Sequence, residues 1–208
     1  LLKSRQEIER MRAASGIVAE ILAEIRSHVR AGVTTGELDS LAEELTRTKG
    51  AVPAFKGYAV AGRVFPASIC ISINDEVVHG VPSRQRALKA GDIVGLDFGV
   101  SYQGYYGDAA MTVPVGRVTA EAERLMEVTS GALLAGIEAI APGRNVEDIS
   151  AAIQDAAEGA GYSLVREFVG HGIGRSLHED PQVPNYRTGN RGVRLQEGLV
   201  LAIEPMVN

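Results

Sequence analysis

The sequence contains an internal repeat, which limits the folds that the chain can adopt. Glycines that end predicted helices recur with the same spacing of 18 residues: Gly32 and Gly50, then Gly143 and Gly161. A second block, LKAGDIVGLD at 88–97, matches LQEGLVLAIE at 195–204, so Asp97 aligns with Glu204. Two helix–helix–strand–hairpin halves predict one pseudo-symmetric α+β domain, residues 1–208, with antiparallel sheets covered by two pairs of helices.

The two predicted halves, at about residues 3–116 and 117–208, differ in length. After Asp97 the first half continues through a turn to Gly116, whereas only four residues follow Glu204. We therefore expect the native chain to continue with a further strand and a further acid. Within residues 1–208, the Val200–Glu204 strand is expected to lack a ladder partner.

The predicted helices have recognisable starts. Capping boxes predict three helix starts: Ser4 with Glu7, Thr34 with Glu37, and Asn145 with Asp148. Apolar residues at helical spacing predict a further long helix over Glu121–Ile140. Ala67–Asn74 is predicted to be a strand, and the Gly-, Pro- and aromatic-rich stretch Val52–Pro66 a loop.

Two apolar runs around a polar tip predict a β-hairpin over Ile93–Pro114, which carries Asp97 and Asp108. A Tyr102-Gln103 turn would place the two aspartates directly opposite each other. A turn one residue later would place Asp97 opposite Ala110 and diagonal to Asp108. Both registers put the two carboxylates on one face of the hairpin.

Two adjacent carboxylates repel each other unless a cation lies between them. A solvated face with two incidental acids is the alternative, but the strand around Asp97 is apolar on both faces. The pattern therefore favours a metal–carboxylate site.

Three histidines lie in glycine-rich or turn-like segments: His79, His171 and His178. His28 lies near the end of the first predicted helix, where solvation or the helix dipole explains it. One imidazole with the carboxylates of Asp97, Asp108 and Glu204 would form an oxygen-rich site suited to Mn, Fe, Co or Zn. A bridging acid such as Asp108 suggests two metals that activate a water and polarise a carbonyl.

Composition limits the class of protein. The net charge of −5 argues against a general nucleic-acid binder. A single cysteine, Cys70, excludes an intramolecular disulfide and suits a reducing compartment. No apolar run approaches the length of a membrane span, so we expect a soluble cytoplasmic protein.

Four motifs together resemble the bacterial-type (type I) methionine aminopeptidases of the pita-bread metallopeptidase fold. They are SINDEVVHG at 72–80, Asp97 with Asp108, GHGIGR at 170–175 through His178-Glu179, and IEPM at 203–206. The resemblance implies metal-dependent removal of N-terminal methionine from nascent proteins and peptides with a small second residue.

The resemblance also implies the site residues. Asp97, Asp108, His171 and Glu204 would hold two divalent ions, with Asp108 bridging and Glu204 moving the proton of the attacking water. His178 would contact the scissile carbonyl and His79 the amide nitrogen, while Phe65 and Cys70 would line the methionine pocket. The family has a second bridging glutamate in a strand that would follow Asn208, so full metal occupancy is not expected in residues 1–208.

The expected partners are the N-termini of nascent polypeptides, with ribosomes as a further candidate, and the expected state is a monomer. An X-Pro dipeptidase of the same fold is one alternative. A non-catalytic binding protein on this fold is another, although the site histidines and acids are all retained.

Overall fold

The computed structural model describes residues 2–60 and 62–208, which divide into two compact units. The N-terminal unit consists of Glu7–Thr119. The C-terminal unit consists of Ala120–Asn208 together with residues 2–6. No helix in the described parts of the chain is long and apolar enough to cross a membrane.

The N-terminal unit combines two helices with a small antiparallel sheet. Its elements in chain order are α1 (Arg5–His28), α2 (Thr35–Thr48), β1 (Val52–Pro53), β2 (Ala59–Val60), β3 (Arg63–Val64), β4 (Cys70–Ile73), β5 (Ile93–Tyr102) and β6 (Tyr105–Pro114). Strand β5 pairs with β1, β4 and β6, and every pairing is antiparallel.

The core of this unit lies between the two helices and the sheet. Apolar residues at helical spacing on α1 pack with alternating residues of β5, among them Ile21, Ile25, Leu96 and Phe98. Gly107 allows the hairpin to approach α1 closely, because a Cβ at this position would lie 2.7 Å from the Ser15 amide nitrogen. The apolar pattern of α1 therefore fixes which face of β5 is buried.

The hairpin of β5 and β6 adopts the later of the two predicted turns. Gln103 and Gly104 both have positive φ, 52° and 79°, as a type I′ turn requires. Asp97 therefore faces Ala110, and Gly99 faces Asp108. The Tyr102-Gln103 turn is wrong, and the diagonal arrangement of the two aspartates is confirmed.

The C-terminal unit has a similar composition of elements. They are α3 (Ala120–Glu138), α4 (Val146–Gly159), β7 (Gly170–Gly172), β8 (Glu179–Val183) and β9 (Leu201–Ala202). The sheet order is β8-β7-β9, and both pairings are antiparallel. Helices α3 and α4 pack closely at Gly136, where a Cβ would lie 2.8 Å from Ile153 Cγ1.

Equivalent backbone contacts within the two units reproduce the sequence repeat. Isolated β-bridges join Thr34 to Ala87 in one unit and Asn145 to Arg194 in the other. The Leu88 amide donates to the Val33 carbonyl at 2.8 Å, and the Leu195 amide donates to the Arg144 carbonyl at 2.9 Å. In each unit, the residues just before the second helix therefore bind, in the same way, the segment that leads to Asp97 or to Glu204.

Three predictions of local structure require correction. The predicted loop Val52–Pro66 contains the short strands β1, β2 and β3, although the prediction at Ala61 lies outside the described residues. The strand predicted over Ala67–Asn74 is shorter, since the Asp39 carboxylate accepts the Ser68 and Ile69 N–H groups before the ladder begins.

The third correction concerns the strand predicted over Val200–Glu204. It is the two-residue strand β9, and it pairs with β7 through His171–Ala202 and Gly172–Leu201. The prediction that it lacks a ladder partner is therefore wrong.

Candidate functional site

The two hairpin aspartates share one face of the N-terminal sheet. Asp97 and Asp108 are diagonal neighbours across β5 and β6, and both side chains are half-buried. Such diagonal positions lie about 7–8 Å apart at Cα, within reach of side chains of this length. The face can therefore present two carboxylates to a cation.

Cys70 lies opposite Asp97 on the neighbouring strand β4 and is buried. Burial raises the pKa of the Cys70 thiol well above its usual range, and the charges of Asp97 and Asp108 raise it further. The thiol is therefore neutral, and it forms an apolar neighbour of the two carboxylates rather than a thiolate ligand.

Gly99 is a feature of this face that sequence reasoning missed. It lies directly opposite Asp108, and a Cβ there would lie 3.2 Å from both Ala54 Cβ and Phe55 Cε1. The absence of a side chain lets the Phe55 ring lie against the hairpin beside Asp108. A glycine within an apolar strand that carries two acids was the available signal.

His79 lies in a turn with unusual backbone geometry. Val78 and His79 both have positive φ, 46° and 55°, and Val78 is β-branched. Such a conformation is strained for both residues, and strained residues cluster at functional sites. The His79 side chain is exposed at the surface.

Neighbouring residues of the SINDEVVHG motif hold this turn in place. The Ser72 hydroxyl accepts the Gly80 N–H at 3.2 Å, and the Gly80 carbonyl accepts the Ile71 N–H at 2.9 Å. Asn74 binds the start of β5, since its side-chain oxygen accepts the Ile93 N–H at 3.0 Å. The polar residues of the motif therefore position His79 against the β4–β5 ladder.

Phe65, the other residue assigned to the methionine pocket, closes a loop. Its N–H donates to the Tyr58 carbonyl and its carbonyl accepts the Gly57 N–H, each at 2.9 Å. The ring is half-buried, so part of its apolar surface is available to a ligand.

His171 and Glu204 form a pair in the C-terminal unit. Nε2 of the buried His171 lies 3.1 Å from Oε1 of Glu204. Nδ1 of the same ring lies 2.8 Å from the Gly172 carbonyl, which can only accept a hydrogen bond. Nδ1 therefore carries a proton, and Nε2 is the ring nitrogen that faces the carboxylate.

His178 lies beside this pair. Its ring centroid is 4.3 Å from that of His171, with the ring planes tilted by 58°. Both histidines line an open cleft, together with Val169, Gly170, Glu179, Asp180 and Gln182. The structure thus brings His171, His178 and Glu204 together.

Glu179 closes the turn that carries His178. One of its carboxylate oxygens accepts the Arg175 and Ser176 N–H groups at 2.8 and 3.2 Å, and the other lies 2.6 Å from Lys3 Nζ. Burial raises the pKa of Glu179, but the hydrogen bonds from Lys3 and Ser176 and the Lys3 charge outweigh burial and lower that pKa overall.

Asn185 is a second residue near the pair that sequence reasoning missed. It is fully buried, and its Nδ2 donates to the Glu204 carbonyl at 2.8 Å. Its side chain therefore fixes the backbone at Glu204. Nothing in the local sequence around Asn185 distinguishes it from an ordinary loop asparagine.

The His171–Glu204 pair is chemically suited to a metal ion. Oε1 of Glu204 is buried, and it faces Nε2 of His171. Two adjacent electron-pair donors of this kind are stabilised by a proton or a metal cation. Within residues 2–60 and 62–208, no three His, Cys, Asp or Glu side chains are arranged to hold a metal, so the four-residue ligand set stays a prediction.

Comparison with known proteins gives a consistent result. The family model described as "Metallopeptidase family M24" matches residues 9–208 of this chain. A methionine aminopeptidase of Clostridium acetobutylicum is 48% identical over 208 residues, which are the whole of this chain and 82% of the relative.

Solved structures of similar proteins agree with this family assignment. The methionine aminopeptidase of Thermotoga maritima superposes with a TM-score of 0.95 at 43% identity, covering all of this chain and 82% of its own. The prolidase of Pyrococcus furiosus shares the fold at a TM-score of 0.83 and 26% identity, with 98% and 57% coverage. The chain therefore has the pita-bread fold and belongs to metallopeptidase family M24, with the bacterial methionine aminopeptidases as its relatives.

Proposed function

We propose that this chain is a metal-dependent aminopeptidase that hydrolyses N-terminal methionine from peptides and nascent proteins with a small second residue. The geometric observation that carries the proposal is the His171–Glu204 pair, in which an imidazole nitrogen and a buried carboxylate oxygen lie 3.1 Å apart. The activity named for its relatives is methionine removal, and the donor chemistry is that of a hydrolytic metal site.

The proposed metal ligands are Asp97, Asp108, His171 and Glu204. Divalent ions are implied by the family, and two ions of Mn, Fe, Co or Zn are our more specific proposal, since these metals accept mixed nitrogen and oxygen donors. When bound, the ions would activate a water molecule and polarise the scissile carbonyl. Glu204 would take the proton released by that water and transfer it to the leaving amine.

The two other candidate site histidines, His178 and His79, would act on the substrate. His178 would donate a hydrogen bond to the carbonyl oxygen as negative charge develops there. His79 would bind the amide nitrogen at the scissile bond. Both side chains are exposed, and such exposure suits groups that must reach a peptide.

The methionine side chain would contact Phe65 and Cys70. The half-buried phenyl ring and the neutral thiol are both apolar and polarisable, and such groups make favourable contacts with a thioether. The expected partners are nascent N-termini, with ribosomes as a further candidate. We propose a cytoplasmic monomer.

Hydrolysis of Met-Ala-Ser by the complete protein loaded with Mn or Co tests this function. We expect release of free methionine and little cleavage of Ala-Pro. An X-Pro dipeptidase is the second candidate, because the prolidase of Pyrococcus furiosus shares the fold. Preference for Ala-Pro would favour that candidate, and metal binding without cleavage of either peptide would favour a binding protein.

A further inference from the structure

The Lys3 side chain makes a long-range contact with the turn that carries His178. Lys3 Nζ lies 2.6 Å from Glu179 Oε2, and the exposed fractions of the two side chains are only 7% and 21%. The two residues are separated by 176 positions in the sequence. Because the two charged groups are largely shielded from water, water competes less for their contact. A shielded ion pair is stable only within a narrow range of geometries.

Gly174 provides the space for this contact. A Cβ at position 174 would lie 2.6 Å from Glu179 Oε1 and 2.7 Å from Lys3 Nζ. Any other residue would therefore displace the ion pair. The third glycine of the GHGIGR segment, Gly174, has a steric role that its sequence alone does not reveal.

The backbone of Lys3 is also fixed. Its N–H donates to the Gly198 carbonyl at 2.7 Å, and Leu2 forms a β-bridge with Leu199. Gly198 has a φ of 92°, and a Cβ there would lie 2.6 Å from the Lys3 carbonyl oxygen. Lys3 is thus anchored at its backbone to one segment and at its ammonium group to another.

We propose that Lys3 is a positioning residue for His178. Its ion pair with Glu179, the residue that follows His178, holds the histidine in place beside His171. Glu179 is bound on one side by the Arg175 and Ser176 N–H groups and on the other by Lys3, so removing Lys3 removes the restraint on that side. This inference rests on the proposed function in one respect, namely that His178 acts on the substrate.

A simpler role for Lys3 is to neutralise a partly buried carboxylate. The two roles predict different results for a double variant. Lys3→Met leaves the Glu179 charge without its cation, whereas Lys3→Met with Glu179→Gln removes both charges and keeps an acceptor for the two N–H groups. Neutralisation alone predicts that the double variant recovers both stability and activity, while positioning predicts recovery of stability only.

The first measurement is NMR of the four histidine rings in the metal-free 208-residue protein. We expect Lys3→Met to shift or broaden the ring signals of His178, assigned with His178→Gln, and to leave those of His28 unchanged. Lys49→Met, which removes an exposed ion pair with Glu20, is the matched control and should change neither. This measurement is independent of activity, so it tests the positioning role even if the proposed function is wrong.

The second measurement is steady-state kinetics with Met-Ala-Ser. We expect Lys3→Met, Glu179→Gln and the double variant each to lower kcat on the order of 10-fold or more with little change in KM, because misplacing a catalytic group costs mainly the chemical step. Urea unfolding identifies any variant that loses activity because it unfolds. If Lys3→Met is such a variant, Glu179→Gln is used in its place. Unmoved His178 signals, or a double variant with full kcat, would overturn the proposal.

Discussion

Nε2 of His171 lies 3.1 Å from Oε1 of Glu204, while Nδ1 of the same ring contacts the Gly172 carbonyl at 2.8 Å. Because Glu204 is proposed as a direct ligand beside His171, we expect Glu204→Gln to weaken binding of Mn or Zn by roughly 10²-fold or more, since loss of an outer-shell partner alone costs about 10–100-fold. Calorimetric titration measures the change. Glu197→Gln, on an exposed residue of the same unit, is the control, and equal affinity in both variants would contradict the assignment.

Changing His178 or His79 to alanine should lower kcat and leave the metal content intact. Each is proposed to act on the substrate, and loss of one transition-state hydrogen bond costs on the order of 10²-fold or more in rate. Metal analysis after dialysis, combined with kinetics on Met-Ala-Ser, separates the two effects. Loss of bound metal in His178→Ala would show that this histidine is a ligand instead.

Gly80→Ala should destabilise the protein and lower its activity. A Cβ at position 80 would lie 2.6 Å from the Ile71 carbonyl carbon, so the backbone beside His79 must move. Overpacking of this kind costs about 1–3 kcal/mol in unfolding free energy. Gly16→Ala is the contrasting change, since nothing lies within 4 Å of that helix position, and it should stabilise by about 1 kcal/mol. Urea unfolding measures both, and equal effects would contradict the steric argument.

Asp39 gives a pH-dependent prediction. Burial raises the pKa of Asp39 above its ordinary value of 3.8, although the Ser68 and Ile69 N–H groups oppose the shift. The folded protein therefore binds this proton more tightly than the unfolded chain, so the carboxyl supports the fold most below pH 3.8 and loses that contribution as the pH rises through the raised value.

Asp39→Asn keeps an acceptor for both N–H groups and removes the titration. Its unfolding free energy relative to the unchanged protein should therefore increase as the pH rises from about 3 to 6, within the range where carboxyl groups titrate. Urea unfolding across that range checks the sign. A difference that is constant with pH would mean that the pKa of Asp39 is not raised.

Cys70 should resist alkylation in the folded protein. Burial and the neighbouring Asp97 and Asp108 charges raise the pKa of its thiol, and the thiolate is the reactive form. Iodoacetamide at pH 8 should modify Cys70 readily in urea and slowly without it, as measured by mass spectrometry. Rapid modification of the native protein would contradict the placement of the thiol beside the two acids.

Much of the hairpin follows from its hydrophobic pattern, but its register does not. Both registers keep the apolar alternation and place Asp97 and Asp108 on one face. The distinction depends on which two residues adopt positive φ, and a glycine at the second turn position favours Gln103-Gly104. Turn chemistry, rather than hydrophobic pattern, decides how the aspartates face each other.

The supporting contacts of the site could not be predicted. Lys3 and Glu179 are 176 residues apart, and Asn185 reaches Glu204 by a single hydrogen bond. Local propensity and periodicity carry no information about such contacts. The strand at Ala67–Asn74 was predicted too long for a related reason, because the distant Asp39 side chain satisfies the Ser68 and Ile69 N–H groups.

The discontinuous C-terminal unit has a consequence for synthesis on the ribosome. Lys3 is made well before its partners, because Glu179 follows it by 176 residues and Gly198 lies further along the chain. At translation rates of roughly 5–20 residues per second, Lys3 precedes Glu179 by about 10–35 s. During this interval its ammonium group lacks Glu179, so the turn that carries His178 takes its final form only after Glu179 has left the ribosome.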